Sequence, residues 1–247
     1  MVKHWSNEDL KAASEFRQQS KDWVFPILSV DVVILTVVEG HLKVLLTQRD
    51  ETPERGKWSL PGVMVRPDMD ASMPAAALRA VQGKTDTLAP YLEQLCDFSG
   101  PDRDPRGWSS SYAYLCLMPA AEIHAKAGAR VQAAKLFDVE TAQSMSLAFD
   151  HNDMTDAALQ RVRNKVNYSS LPAHLLGPKF TLTELMTIYE VILSQRLDKS
   201  AFRKKVQEAG FVRPVSGEFK TGPNRPAQFY EIAKSDELVM FRRNLTP

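Results

Sequence analysis

The stretch from Gly56 to Thr85 restricts the fold of this chain more than any other. It opens Gly56-Lys57-Trp58-Ser59-Leu60-Pro61-Gly62-Val63 and crosses a polar loop around Asp68 to Asp70. It continues Ala71-Ser72-Met73-Pro74-Ala75-Ala76-Ala77-Leu78-Arg79-Ala80-Val81-Gln82-Gly83-Lys84-Thr85. Residues 72–81 read as a helix with an apolar face. Ahead of the stretch, residues 27–36 and 42–48 read as two apolar strands joined at Glu39-Gly40-His41, the second ending in Gln48-Arg49. Hairpin, short loop, Gly-x-Trp-x-Leu-Pro-Gly, helix: that order is a context which an isolated amphipathic helix does not supply.

This frame resembles the Nudix hydrolase box, Gly-x5-Glu-x7-Arg-Glu-U-x-Glu-Glu-x-Gly-U. There U is a bulky aliphatic residue, and glutamates on one helix face hold Mg²⁺ against a diphosphate. Arg79, Val81 and the lead-in set the register, with a longer loop around Asp68 to Asp70. The first glutamate of the pattern then falls on Ala71, the one after the arginine on Ala80, and the metal-binding pair on Gly83 and Lys84. Mg²⁺ binds through oxygen ligands, usually carboxylates and phosphate. Glycine supplies none, and the Lys84 ammonium repels the ion at close range, so no catalytic residue and no metal ligand is expected in the box. The resemblance implies an α/β/α Nudix sandwich over residues 26–150. Residues 1–25 form a leading helix or arm, with Leu10, Ala13 and Phe16 at helical spacing.

With 247 residues and a formal net charge of +1, the chain is long enough for one large or two modest domains, and its overall charge names no partner. It has no run of about 18 apolar residues and no basic-then-apolar leader; no membrane contact and a cytoplasmic location are expected. Cys96 and Cys116 each lie in an apolar strand-like run without a second ligand at finger-like spacing. Both are expected to be buried, reduced core thiols, and no cofactor is expected.

The composition changes after residue 150. The Asp150 carboxylate is available as an N-cap to a helix over 152–166, and breaks at 168–172 and Gly177-Pro178 follow. Residues 151–178 read as a linker helix and 179–247 as a further domain. That domain starts with a Thr-initiated helix carrying Leu185, Ile188, Tyr189 and Ile192 on one face. It turns at Arg196-Leu197 and enters a helix over 199–209 capped by Asp198 and stopped by Gly210. Helix, short turn, helix is the order of a helix-turn-helix. Apolar runs over 211–215 and 228–232, around a loop rich in Gly, Pro and Lys, read as a wing.

On the second of these helices Phe202, Val206 and Ala209 share a face, which leaves Ser200, Arg203, Lys204 and Gln207 outward. From Lys199 to Arg243 there are ten basic and five acidic residues, a local +5 in a chain of +1. Positive charge concentrated on such a frame points to duplex DNA. Ser200, Arg203, Lys204, Lys205 and Gln207 are the candidate groove contacts, with Lys220, Thr221 and Arg225 contacting phosphate from the wing. A protein-binding module is the competing reading, separable by the steep salt dependence of DNA binding.

Motifs in both halves resemble the NrtR family of Nudix-related transcriptional regulators of NAD metabolism. In the first half they are Tyr91-Leu92-Glu93-Gln94-Leu95, Asp104-Pro105-Arg106-Gly107-Trp108-Ser109 and Leu147-Ala148-Phe149-Asp150-His151. In the second they are Phe180-Thr181-Leu182-x-Glu184-Leu185, Phe202-Arg203-Lys204-Lys205-Val206 and Arg225-Pro226-Ala227-x-x-Tyr230. The resemblance implies a Nudix sandwich followed by a winged helix-turn-helix, in a homodimeric repressor. It would bind a pseudo-palindromic operator and sense ADP-ribose or a related metabolite in its Nudix domain.

Two departures stand out. Val63 and Asn224 replace glycines usual in the family, and the first puts a side chain beside the diphosphate position, where glycine permits close backbone approach. A related branch senses a sugar in the same fold, and fold does not choose between them. Arg49 and Arg106 are candidate diphosphate or ribose contacts, because guanidinium groups bind phosphate bidentately, and Trp108 is a candidate base-stacking ring. The competing places are a pair with Asp50 or Glu51 for Arg49 and a core or dimer interface for Trp108. Arg79 is expected to brace the box helix internally. A hydrolase taking metal ligands from outside the box, at Glu93 or Asp97, is the enzyme alternative.

Overall fold

The computed structural model describes residues 6–125, 131–221, 226–234 and 238–241. The elements run α1 (Asn7–Gln19), β1 (Ile27–Val38), β2 (His41–Arg49), β3 (Trp58–Ser59), β4 (Gly62–Met64), α2 (Met73–Thr85), β5 (Tyr91–Gly100), β6 (Ser109–Leu117), β7 (Val131–Asp138), α3 (Val139–Ser144) and α4 (His151–Val166). A 3-10 turn at Leu171–Leu175 precedes β8 (Phe180–Thr181), α5 (Leu182–Leu193), α6 (Lys199–Ala209), β9 (Val212–Lys220) and β10 (Ala227–Ile232).

A mixed sheet in the order β3-β2-β1-β6-β5, with β4 also on β1 and β7 on β2, organises the first half. Strand β1 is central and covered on both sides, which is why its sequence is an almost unbroken apolar run. Val30, Val32 and Ile34 face one layer, and Val33 and Leu35 face the other. The first layer is α2, whose Ala76, Ala77, Ala80 and Val81 pack on the sheet. Ser72 caps α2 by accepting the Ala75 N–H, and left-handed Asp86 (φ 60°) ends it. The helix therefore runs a further turn beyond residue 81 and carries Gly83 and Lys84.

The opposite layer is α4, with Met154, Ala158, Leu159, Val162 and Val166 buried at helical spacing. This core does not stop at the end of the sandwich. It continues through Leu171 and Phe180 to Leu185, Tyr189, Phe202, Val206 and Phe211 of the C-terminal half. There β8-β10-β9 form a small sheet beside α5 and α6. Helix α5 starts with a reciprocal capping box between Thr181 and Glu184. The chain returns at 238–241 to tie this half to the end of α4. The Ser170 N–H donates to the Val239 carbonyl at 2.9 Å, and the buried Tyr189 hydroxyl donates to the Ser169 carbonyl at 2.7 Å.

Three local expectations change. Cys116 is buried but Cys96 is exposed: it sits on β5, the edge strand, next to a register shift between Gln94 and Cys96. Asp150 precedes α4 but does not cap it with its side chain, because Arg103 holds both carboxylate oxygens at 2.8 Å. The first wing strand runs past Val215 to Lys220, through Pro214 and Gly217. Pro214 has no N–H to donate and is tolerated because β9 is an edge strand.

Candidate functional site

In the box loop and helix, the braced frame is intact. Arg79 donates to both oxygens of Asp70, at 2.8 and 2.7 Å, and to the Met64 carbonyl at 2.9 Å. The Arg79 guanidinium holds the Asp70 carboxyl down at about 2. The brace partner is thus Asp70, one residue before the Ala71 that the motif register selects. At Gly62 any side chain would strike the Asp31 carboxylate, 1.9 Å from where a Cβ would stand, so this glycine is a packing requirement. Along the helix face where the motif places carboxylates, Ala80 is buried and Gly83 is exposed. Burial lowers the pKa of the Lys84 ammonium.

Polar side chains gather instead at the N-terminal end of α4, on the face of the sheet opposite α2. Asp31 points to this side, in step with Val33 and Leu35, and accepts a hydrogen bond from Ser111 Oγ at 2.5 Å. His151, the first residue of α4, is buried. Its Nδ1 accepts the Leu60 N–H at 2.9 Å, and its Nε2 lies 3.6 Å from Asp31. Burial pushes the His151 pKa down against the opposing pull of Asp31, which keeps Nδ1 free as the acceptor. Next to it Arg103 grips Asp150 and donates to Ser109 Oγ at 3.1 Å.

Arg49 and Arg106 come together at this cluster. Burial first, and then the neighbouring Arg106 charge, lower the Arg49 pKa. Arg49 lies over the Phe149 ring, 4.9 Å from its centroid, and donates through Nε to the Pro53 carbonyl at 3.0 Å. Asp50, a competing partner, is taken by Arg55 and Gln132. Arg106 is held by Asp104 through Nε and Nη2, the latter at 2.7 Å. Two like charges are thus brought near each other, with Asp31, Asp104 and Glu51 close enough to offset part of their repulsion. Trp108 stands at the foot of β6, 47% exposed. Glu93, an alternative metal ligand, is held by Arg161 and Lys165 and accepts the Tyr91 hydroxyl. Asp97 lies apart on the edge strand and accepts from Ser99.

The second candidate surface is α6. Asp198 caps it by accepting the Ala201 N–H at 2.7 Å, and Phe202 and Val206 bury its inner face, with the Phe202 ring 5.3 Å from that of Tyr189. Ser200, Arg203, Lys204 and Gln207 are exposed, while Lys205 is half-buried. Among the described residues Lys204 pairs only with Glu208 on the same helix, at 3.9 Å. The wing is more self-paired: Lys220 binds Glu184 at 2.7 Å, Lys179 binds Glu218, and Arg213 binds Glu231. Thr221 is exposed, and Arg225 lies outside the described residues.

Glu190 was not singled out from the sequence, yet it sets the α5–α6 turn. Nearly buried, it accepts the Leu197 N–H at 2.9 Å and the Arg196 guanidinium at 3.0 Å. An acid on an otherwise apolar helix face was the available signal.

Residues 27–158 match the model of the NUDIX domain, and residues 172–232 match the NrtR DNA-binding winged helix domain. The chain is 38% identical over 227 residues to the ADPR-responsive transcriptional repressor NtrR of Acinetobacter baylyi, covering 92% of this chain and 90% of that one. It is 31% identical over 129 residues to an ADP-ribose pyrophosphatase of Methanocaldococcus jannaschii, covering 52% of this chain and 70% of the other. Among solved structures, Shewanella oneidensis NrtR complexed with a 27mer DNA superposes with a TM-score of 0.80 at 34% identity, covering 88% of this chain and 98% of that one. The NUDIX domain of the same protein, complexed with ADP ribose, gives 0.57 at 34% identity over 62% of this chain and 98% of that domain.

Proposed function

This chain belongs to the NrtR family of Nudix-related transcriptional regulators, and from that premise we propose that it is a repressor released from its operator by ADP-ribose or a closely related nucleotide. The observation that carries the reading is α6: a helix seated by Phe202 and Val206 that presents Ser200, Arg203, Lys204 and Gln207 to solvent from a helix-turn-helix with a wing. An exposed cationic helix on such a frame enters the major groove, where arginine and lysine read guanine edges.

The Nudix half acts as the sensor. Ala71, Ala80, Gly83 and Lys84 do not fit Mg²⁺, which needs oxygen donors, so no hydrolytic step is assigned to the box. Arg49 and Arg106 meet the ligand's diphosphate instead, with Arg106 exchanging Asp104 for phosphate. The signal has a direct route. The cluster grips the first residues of α4 through His151 and Asp150, and the far end of α4, about 24 Å away, is tied to the winged helix at Ser169 and Ser170.

Operator binding by Arg203→Ala and Lys204→Ala variants, measured by mobility shift, tests the reading. Each is expected to lose about 1–3 kcal/mol on its operator while effector binding stays unchanged; wild-type operator affinity in both removes α6 as the reader. The intact Asp70–Arg79 brace and the M. jannaschii relative favour a residual hydrolase as the second reading. AMP release from ADP-ribose with Mg²⁺ decides it, because turnover at ordinary enzyme rates is incompatible with a sensor alone.

A further inference from the structure

The wing is bulged, and the bulge is held in place by a side chain. Strands β9 and β10 pair Phe219 with Gln228 and Pro214 with Tyr230, so Val215, Ser216, Gly217 and Glu218 stand opposite Phe229 alone. Gly217 turns the bulge in the left-handed region, at φ 74°. The Gln228 side-chain amide then pins it. Its Nε2 donors are shared among the carbonyls of Val215 at 2.6 Å, Glu218 at 3.0 Å and Phe229 at 2.9 Å. Bulges at sheet edges serve to re-aim a side chain. The first residue after this one is Phe219, 51% exposed. Its neighbour Lys220 reaches back to Glu184 at the start of α5, at 2.7 Å. Successive strand residues face opposite ways, so Phe219 points away from α5 into solvent.

We propose that Phe219 is a DNA contact, an apolar side chain that packs against deoxyribose in the minor groove beside the major groove entered by α6. The inference rests on the DNA-reading function above. Charge favours an apolar contact at this place. The cations around the bulge are engaged within the chain: Lys179 grips both Glu218 oxygens at 2.6 Å, Lys220 holds Glu184, and Arg213 donates to Glu231 at 2.7 Å. On α6, by contrast, Arg203 has no carboxylate partner among the described residues, and Lys204 has Glu208 only at 3.9 Å. Attraction to phosphate therefore belongs mainly to α6. The wing is left with Phe219 as its one exposed large apolar group among the described residues, and phenylalanine is among the apolar residues that proteins place in the minor groove. A protein partner is the poorer occupant: one ring offers far less area than a specific interface needs, whereas one ring suffices beside a duplex already held by α6. Lys220 is then a strut of the wing rather than a phosphate contact.

Operator binding over a series of salt concentrations, followed by fluorescence anisotropy, tests this with full-length Phe219→Ser, Phe219→Leu and Lys220→Ala. Phe219→Ser is expected to weaken operator binding by about 5- to 10-fold, the worth of burying half a phenylalanine. The slope of log Kd against log salt should not change, because an apolar contact releases no counterion. Phe219→Leu should keep most of the affinity, and Lys220→Ala should leave both affinity and slope near the parent's. ADP-ribose binding should be the same in all three, as an intact fold requires. Parental operator affinity in Phe219→Ser overturns the contact. So does a Lys220→Ala slope shallower by about one, which would make the cation the grip of the wing. A parent chain that binds no operator sinks the DNA-reading function and this contact with it, whereas a parent that binds while Phe219→Ser binds equally well sinks only the contact.

Discussion

Arg79 illustrates what single residues disclose. Its role as a brace is readable from the sequence, but its partner is not, because the motif register points to Ala71 and the longer loop shifts the acid to Asp70. Arg49 and Arg106 lie far apart in sequence, and nothing local predicts that the charge of one would act on the other. Arg103 was passed over altogether, though it holds Asp150. Removing it leaves a largely buried carboxylate without its bidentate partner, so Arg103→Ala should cost about 1–3 kcal/mol of stability. If α4 carries the signal, it should also reduce the effect of ADP-ribose on operator affinity. Denaturant melts and paired operator titrations check both, and undiminished coupling would remove this pair from the route. At the box, Gly83→Glu with Lys84→Glu should yield no substantial hydrolysis, since Ala71 and Ala80 still lack carboxylates. Robust Mg²⁺-dependent AMP release from that double variant would contradict it.

Elements were more legible than side chains. The capped helices α5 and α6 stand where Thr181, Asp198 and Gly210 place them, because caps and stops are local signals. Edge position is not local, which is why Cys96 came out exposed, and neither is competition for a carboxylate, which is why Asp150 does not cap α4. The turn between α5 and α6 depends on Glu190. Glu190→Ala strands the Leu197 N–H and should cost about 1–3 kcal/mol, lowering operator affinity while calorimetric effector binding stays the same.

The 3-10 turn between α4 and β8 carries His174, whose ring lies 4.9 Å from that of Tyr91. Burial depresses its pKa from 6.5 to about 4. The unfolded chain therefore takes up the proton first as pH falls, so the stability from neutral His174 is complete above pH 6.5 and is lost toward pH 4. That loss amounts to about 3 kcal/mol at most, and buried His151 adds in the same direction. The melting temperature should drop between pH 7 and pH 5, and less so in His174→Gln; an equal drop in that variant would remove His174 as a cause.

For the whole molecule, the order of a Nudix sandwich and a winged helix follows from motifs in both halves, while their shared core does not. That core depends on α4 packing against both the sheet and α5, a long-range contact on which helical periodicity is silent. In the proposed reading, α4 joins the Arg49–Arg106 cluster to α5 of the winged helix through Ser169 and Tyr189, so that ligand and operator compete through one body. Coupling of this kind is reciprocal and typically 5- to 150-fold. The most direct test is an operator titration by fluorescence anisotropy in EDTA, with and without saturating ADP-ribose. The expected result is an operator Kd raised at least fivefold by ADP-ribose with no metal present; an unchanged Kd, or a change that appears only when Mg²⁺ is restored, would contradict a metal-free sensor.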